Sequence, residues 1–141
     1  MLMNIFQEAF QELPHLNKNF VATQCVLLKD EILIFGGENN NECYSYHIEK
    51  KQYLLICSYP HGVSLKGHCV LQLSHQSGNP NEIHLLSFGG QGVNEIKKTF
   101  SMRYKSVWSD SHKSEPGLNS WTLVVDSQIG EFSDNLEGVR G

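Results

Sequence analysis

One short pattern occurs twice in this sequence: an apolar run that ends in phenylalanine and a pair of glycines. The two copies are LIFGGENN at residues 33–40 and LSFGGQGV at residues 86–93. A glycine pair at such a place either cradles a phosphate or ends a strand in a backbone conformation that other residues avoid. A pattern that returns after about 50 residues favours the second interpretation, because repeat architectures have periods of this size.

The sequence around each glycine pair reads as a series of short strands. In the first copy these are EILIF (31–35), the alternating CYSYHI (43–48) and QYLLICSYP (52–60). Polar inserts at 74–81 and 109–120 account for the greater length of the second copy. We align Cys25-Val26-Leu27 with Cys69-Val70-Leu71, Gly36-Gly37 with Gly89-Gly90, Tyr46 with Met102, and Tyr53 with Trp121. Each copy is therefore predicted to form four antiparallel strands. The aligned pairs Tyr46/Met102 and Tyr53/Trp121 are each expected to be buried at the same depth between the repeated units.

Length and charge narrow the class of protein. The chain has 141 residues, which is an ordinary single-domain length, and its net charge of −4 argues against a nucleic-acid partner. No apolar run approaches the roughly 20 residues that a membrane-spanning helix needs. The N-terminus has no positive residue before Lys18, unlike a secretory signal peptide. The four cysteines are therefore expected to be free thiols, and the expected location is cytoplasmic.

The order of these signals resembles the kelch motif: a strand that ends in Gly-Gly, a tyrosine on the next strand, and a later aromatic residue. The matching residues are Gly36, Gly37, Tyr46 and Tyr53 in the first copy, and Gly89, Gly90, Met102 and Trp121 in the second. The sequence departs from the motif at Tyr53, where the family prefers tryptophan, and at Met102, where it prefers tyrosine. Outside the two copies, Leu13-Pro14 resembles the close of a preceding unit, and Leu136-Glu137-Gly138 resembles Leu65-Lys66-Gly67, which opens the second unit.

The resemblance implies an all-β fold with two four-stranded antiparallel kelch-like blades of an incomplete β-propeller. The expected units are an N-terminal segment with the last strand of a preceding blade (1–19), a first blade (20–66), a second blade (67–127), and a linker with the start of a third blade (128–141). A propeller typically needs about four or more blades to protect its sheet edges. We therefore expect the chain to be a piece of a longer propeller. The alternative is a ring completed with other chains, and open blade edges could also cause self-association.

Two ligand-binding patterns compete with this structural interpretation. The second glycine pair follows a strand as in a dinucleotide-binding turn, but the last glycine of that fingerprint is replaced by Glu95, which repels phosphate. The pairs Cys43/His47 and Cys57/His61 resemble a zinc pattern, yet residues four apart on a strand are separated by about 13 Å. We therefore expect neither a cofactor nor a metal.

An enzyme is the main functional alternative. Some kelch-type propellers are galactose-oxidase-like copper enzymes or sugar-processing enzymes, whose sites gather tyrosine and histidine at the centre. Here the seven histidines are spread over different strands and loops, and neither a carboxylate pair nor a nucleophile in an elbow stands out, so no catalytic residue is expected. A further alternative is an N-terminal helix that binds a partner, because its apolar residues have helical spacing. They are Ile5, Phe6, Ala9, Phe10 and Leu13, and they also suit a strand of a neighbouring blade.

The expected function is a non-catalytic protein-protein interaction module. Rigid blades would position variable loops for binding, and the loop after each glycine pair is the first candidate. The candidate partner-binding residues are Glu38, Asn39, Asn40 and Asn41 in the first copy, and Gln91 and Asn94 in the second. Asparagine also favours turns by itself, because it tolerates left-handed backbone geometry and hydrogen-bonds its own backbone.

Overall fold

A computed structural model describes residues 12–73, 79–91, 95–110 and 115–124 of the chain. This part contains strands and no helix, so it also contains no helix that is long and apolar enough to cross a membrane. The strands form two four-stranded antiparallel sheets, and neither sheet closes into a barrel. The predicted fold class, all-β with two four-stranded antiparallel sheets, is therefore confirmed.

Each sheet is a meander in which every strand pairs with the strand before it. The first sheet consists of β1 (Gln24–Leu28), β2 (Glu31–Gly37), β3 (Asn40–His47) and β4 (Gln52–Ser58). The second sheet consists of β5 (His68–Leu73), β6 (Glu82–Gly89), β7 (Thr99–Lys105) and β8 (Thr122–Leu123). These strands lie inside the two units predicted at 20–66 and 67–127. The predicted N-terminal helix or strand lies largely in residues 1–11, and the predicted third unit in 128–141, both outside the described residues.

Local sequence explains the hairpin at the first glycine pair. Gly37 pairs with Asn40, so Glu38 and Asn39 form a two-residue turn between β2 and β3. Asn39 has a φ of 63°, a left-handed conformation that asparagine tolerates better than most residues and that tight hairpins require. The ladder shifts between Phe35 and Gly37: Gly36 alone lies opposite Asn41 and Glu42, so β3 carries the extra residue of a bulge.

The segment after the second glycine pair is a strand. β7 pairs with β6 over seven residues, from Thr99 opposite Phe88 to Lys105 opposite Glu82. A continuous helix over residues 93–107 would have contradicted the repeat, and this pairing excludes it. Phe100, Met102 and Tyr104 alternate along β7 and are buried, as expected for one face of a strand.

The register of the two sheets matches at three of the four strands. Residues that the sequence alignment equates also pair across neighbouring strands in the same order. These are Leu33, Ser45 and Leu54 in the first sheet, and Leu86, Ser101 and Thr122 in the second. The predicted equivalence of β2, β3 and β4 with β6, β7 and β8 is therefore confirmed.

The predicted alignment of the first strands is wrong by one residue. Val26 pairs with Leu33, whereas Leu71 pairs with the equivalent Leu86. Cys25 therefore corresponds to Val70, and the Cys-Val-Leu triplets are not equivalent. A shift of one residue moves each side chain to the other face of a sheet, and an apolar triplet alone does not specify which face is buried.

The hydrophobic core lies between the two sheets, which present different faces to each other. We call the face that carries Leu33, Phe35 and Cys43 the front face of the first sheet; it packs against Leu85, Met102 and Tyr104 of the second sheet. In the second sheet, the residues equivalent to Leu33, Phe35 and Cys43 are Leu86, Phe88 and Thr99, and they lie on the side that points away from the first sheet. Leu85, Met102 and Tyr104 therefore belong to the back face of the second sheet. The two sheets are thus stacked in series, front against back.

Candidate functional site

Both glycine pairs lie where a strand ends, at equivalent positions. Gly36, Gly89 and Gly90 have φ values of 48°, 78° and 82°, in the region that favours glycine. A Cβ atom at Gly36 would collide with the side chain of Leu65, and one at Gly90 would lie 2.9 Å from Cβ of His68. At Gly37, the backbone oxygen of Val21 would lie 2.5 Å away. Close packing and turn geometry therefore account for these glycines, in agreement with the structural role predicted for them.

The aromatic signature residues differ in their burial. Tyr46 and Met102 are 3% and 2% exposed, so their predicted equal depth is confirmed, but only Met102 lies between the two sheets, because Tyr46 is on the back face of the first sheet. The same prediction is wrong for Tyr53 and Trp121, because Tyr53 is only half-buried while Trp121 is 7% exposed. Trp121 faces the first sheet, whereas Tyr53 lies on the back face of the first sheet, against which no sheet of the described residues packs. There its hydroxyl donates to the carbonyl oxygen of Pro14 (2.9 Å).

Trp121 is the centre of an aromatic cluster between the sheets. Its ring stacks on Tyr59 at 4.9 Å and meets Phe35 edge-on at 5.6 Å, and its indole N–H donates to Sγ of Cys43 (3.4 Å). The Tyr59 hydroxyl in turn donates to Oγ of Ser87 (2.8 Å). Burial raises the pKa of Tyr59 and of the Cys43 thiol, so both groups stay protonated near neutral pH. These residues therefore pack the interface between the two sheets.

A second, polar cluster also joins the sheets. The buried carboxylate of Glu31 accepts hydrogen bonds from Ser45 (2.8 Å) and from the hydroxyl of Tyr104. Ser45 is itself the acceptor for the indole N–H of Trp108 (2.9 Å). Burial and the neighbouring Glu31 raise the pKa of Tyr104. Sequence reasoning missed this cluster, because a glutamate at the start of a strand looks like an ordinary exposed residue.

The predicted partner-binding loops are held mainly by contacts within the chain. Asn40 donates to the carbonyl oxygen of Asn19 (3.2 Å) and accepts from the amide of Glu42 (2.9 Å). Glu38 forms an ion pair with Lys66 (3.4 Å), and the carbonyl of Asn41 accepts from Tyr59 N (2.8 Å). Gln91 is 8% exposed; its side chain donates to the carbonyl oxygen of Ser64 (3.4 Å) and accepts from the amide of Lys98 (3.2 Å). Asn39 is the exposed tip, and Asn94 lies outside the described residues.

One exposed apolar residue that the sequence did not single out lies at the same end of the molecule as these two loops. Ile96, between β6 and β7, is 82% exposed. It follows the second glycine pair as Asn39 follows the first, so both loops extend from the same end of their sheets. Such exposure is unusual for isoleucine, although single exposed apolar residues occur on most surfaces.

The first of the two cysteine-histidine pairs is divided between two clusters of side chains. Cys43 contacts Trp121, whereas His47 meets the ring of Trp108 at 5.2 Å, so the two residues serve different clusters. Within the described ranges, no group of three or more potential metal ligands comes together. The thiols of Cys25, Cys43, Cys57 and Cys69 are free.

A cavity of about 550 Å³ opens on the front face of the second sheet. Its floor is apolar and its rim is basic: Cys69, Leu86 and Phe88 form the floor, and Gly89, Gly90, Gln91, Lys66, Lys97 and Lys98 are at the rim. Lys97 donates to the carbonyl of Gln91 (2.6 Å). The cavity therefore suits an apolar group that carries, or lies beside, a negative charge.

Comparison of the chain with protein-family models, with curated proteins and with solved structures found no match.

Proposed function

We propose that the chain is a non-catalytic protein-interaction module made of two kelch-type blades, part of a larger propeller. The observation that carries this proposal is the serial stacking of two sheets with equivalent registers, front face against back face. Successive blades of a propeller are related in this way, because each blade buries one face against the blade before it and the other against the blade after it.

Two further features support the proposal. β1 and β5, the first strands of the two sheets, lie beside each other, as the inner strands of neighbouring blades would. The polar cluster of Glu31, Ser45 and Tyr104 and the aromatic cluster of Trp121 fix the two sheets relative to each other. A rigid pair of sheets is a suitable base for loops that bind a partner.

The binding surface that we propose is the end of the molecule where both glycine pairs lie. Asn39 is the exposed tip of one loop and Ile96 that of the other, while Gln91 and Asn40 hold the loops in shape. An exposed isoleucine beside polar residues is the composition expected of an interaction surface with a small apolar centre.

The test is site-specific photocrosslinking followed by direct binding measurements. A photoreactive amino acid at position 96 should capture a protein partner in cells, whereas the same amino acid at position 49, in the turn between β3 and β4 at the other end, should not. The captured partner is then purified, and its affinity for the chain is measured by calorimetry. We expect Ile96→Asp to weaken binding about tenfold or more, and Glu49→Ala to leave it unchanged.

Capture at both positions alike, or an affinity that Ile96→Asp does not change, would refute this binding surface.

A further inference from the structure

The two glycine pairs have equivalent positions but different neighbours. Gly36 is covered by the side chain of Leu65, which belongs to the connection between the sheets. At the equivalent Gly89, the nearest atom of the described residues to a Cβ atom would be the carbonyl oxygen of Gly67, at 4.0 Å. Within the part of the chain that the structure describes, the place that Leu65 occupies on the first sheet is therefore open on the second sheet, and it forms part of the cavity described above.

The first sheet shows which groups fill this place. Leu65 lies on Gly36, His68 approaches the carbonyl oxygen of Phe35 through its Nε2 atom (2.9 Å), and Lys66 forms an ion pair with Glu38 (3.4 Å). A short segment with the order leucine, charged residue, glycine thus covers the end of β2. Leu65 is 3% exposed, so the contact is a well-packed one.

The charges at the second glycine pair have the opposite sign. The residue equivalent to Glu38 is Gln91, and the lysines Lys97 and Lys98 lie beside it. A segment that covers Gly89 in the way that Leu65 covers Gly36 should therefore carry an acidic residue in place of Lys66, because opposite charges at a cleft favour binding.

The sequence contains a segment with these properties. Leu136-Glu137-Gly138 repeats Leu65-Lys66-Gly67 with glutamate in place of lysine. Val124, the last described residue, donates its amide to the carbonyl of Thr99, which lines the cavity, so the chain leaves β8 beside it. Eleven residues separate Val124 from Leu136, which is enough chain to cross the cavity, since an extended chain covers about 3.3 Å per residue.

We propose that Leu136-Glu137-Gly138 docks on the front face of the second sheet, with the Leu136 side chain on Gly89 and the Glu137 carboxylate beside Lys97 and Lys98. This inference rests on the proposed function in treating the two sheets as equivalent units. It adds that the open face is a binding site for a leucine followed by an acidic residue, supplied within the same chain.

The reactivity of Cys69 tests the proposal, because this thiol lines the cavity. The purified full chain is alkylated with N-ethylmaleimide, and the rates at Cys69 and at Cys25, which serves as the internal reference on the first sheet, are followed by mass spectrometry. We expect Leu136→Asp to speed the reaction of Cys69 about tenfold and to leave the rate at Cys25 unchanged. Leu27→Asp is the matched control, since Leu27 is an exposed leucine on the first sheet, and it should not change the rate at Cys69.

An exchange of charges between positions 137 and 98 provides a second test of the proposal. Glu137→Lys should also speed the reaction of Cys69, and the double variant Glu137→Lys with Lys98→Glu should restore much of the protection, because it recreates an opposite-charge pair. A merely structural effect of position 137 would not be restored by Lys98→Glu.

Three results would overturn the proposal: equal rates at Cys69 in the wild type and in Leu136→Asp, no restoration in the double variant, or protection that disappears on dilution of the wild type. The last result would assign the face to a second copy of the chain. None of them would affect the binding surface at Ile96, which is tested separately.

Discussion

Individual side chains show that equivalent positions in a repeat need not be equivalent in energy. Tyr53 and Trp121 occupy the same position in their sheets, but only Trp121 is covered by another sheet. Gly36 and Gly89 are equivalent too, and only Gly36 is covered by Leu65. The role of a residue depends on which other part of the chain packs against its sheet, and the sequence of the unit itself does not show this.

Trp121→Ala should destabilise the protein by about 3–5 kcal/mol, because it removes a large buried aromatic side chain and its contacts with Tyr59 and Phe35. Glu49→Ala, at an exposed turn, should change stability by less than about 0.5 kcal/mol. Chemical denaturation followed by circular dichroism measures both values. Similar midpoints for the two variants would mean that Trp121 lies outside the core.

Gly36→Ala should cost more stability than Gly62→Ala. Both glycines have positive φ, so both variants should lose about 1–2 kcal/mol through backbone strain. A Cβ atom at Gly36 also collides with Leu65, whereas no atom of the described residues lies within 4 Å of one at Gly62, so Gly36→Ala should lose about 1–3 kcal/mol more. Thermal unfolding of the two variants gives the comparison, and equal losses would show that Leu65 does not cover Gly36.

At the level of strands, the sequence was informative where a pattern is local. The alternation of apolar and polar residues and the glycine pairs correctly predicted β2, β3 and β4 and their counterparts. The register of β1 and β5 was not predictable, since it depends on pairing with a second strand and their apolar triplets suit either face. The Glu31 cluster and the basic cavity were missed for the same reason: both are assembled from elements far apart in the chain.

The hydrogen bond between Tyr104 of β7 and Glu31 of β2 should contribute to stability in a pH-dependent way. The pKa of Tyr104 is raised in the folded protein, from an unfolded value of about 10. Its contribution is therefore complete below about pH 10 and is lost as the pH rises from there toward the folded pKa, because the unfolded chain releases the proton first.

Tyr104→Phe should consequently reduce the dependence of stability on alkaline pH by up to about 1.4 kcal/mol per pH unit. Near neutral pH the variant should lose about 1–3 kcal/mol, since Glu31 loses a buried donor. Urea denaturation at several pH values tests this. An alkaline slope identical to that of the wild type would exclude Tyr104 as a buried, protonated donor.

For the molecule as a whole, the defining feature is the order in which the faces of the two sheets are stacked. The two proposed kelch-type blades share registers and glycine pairs, and the front face of the first buries the back face of the second. The same arrangement leaves the front face of the second sheet with a cavity and three lysines, which is where we place Leu136-Glu137-Gly138. Both the proposed function and the docking proposal depend on this order of faces.

Nuclear Overhauser effects from the indole N–H of Trp121 test that order most directly. We expect cross-peaks to the Cys43 β-protons and to the Phe35 ring, because the indole lies against the front face of the first sheet. Cross-peaks to Phe88 and Thr99 instead would place Trp121 on the front face of its own sheet, and the serial stacking would be wrong.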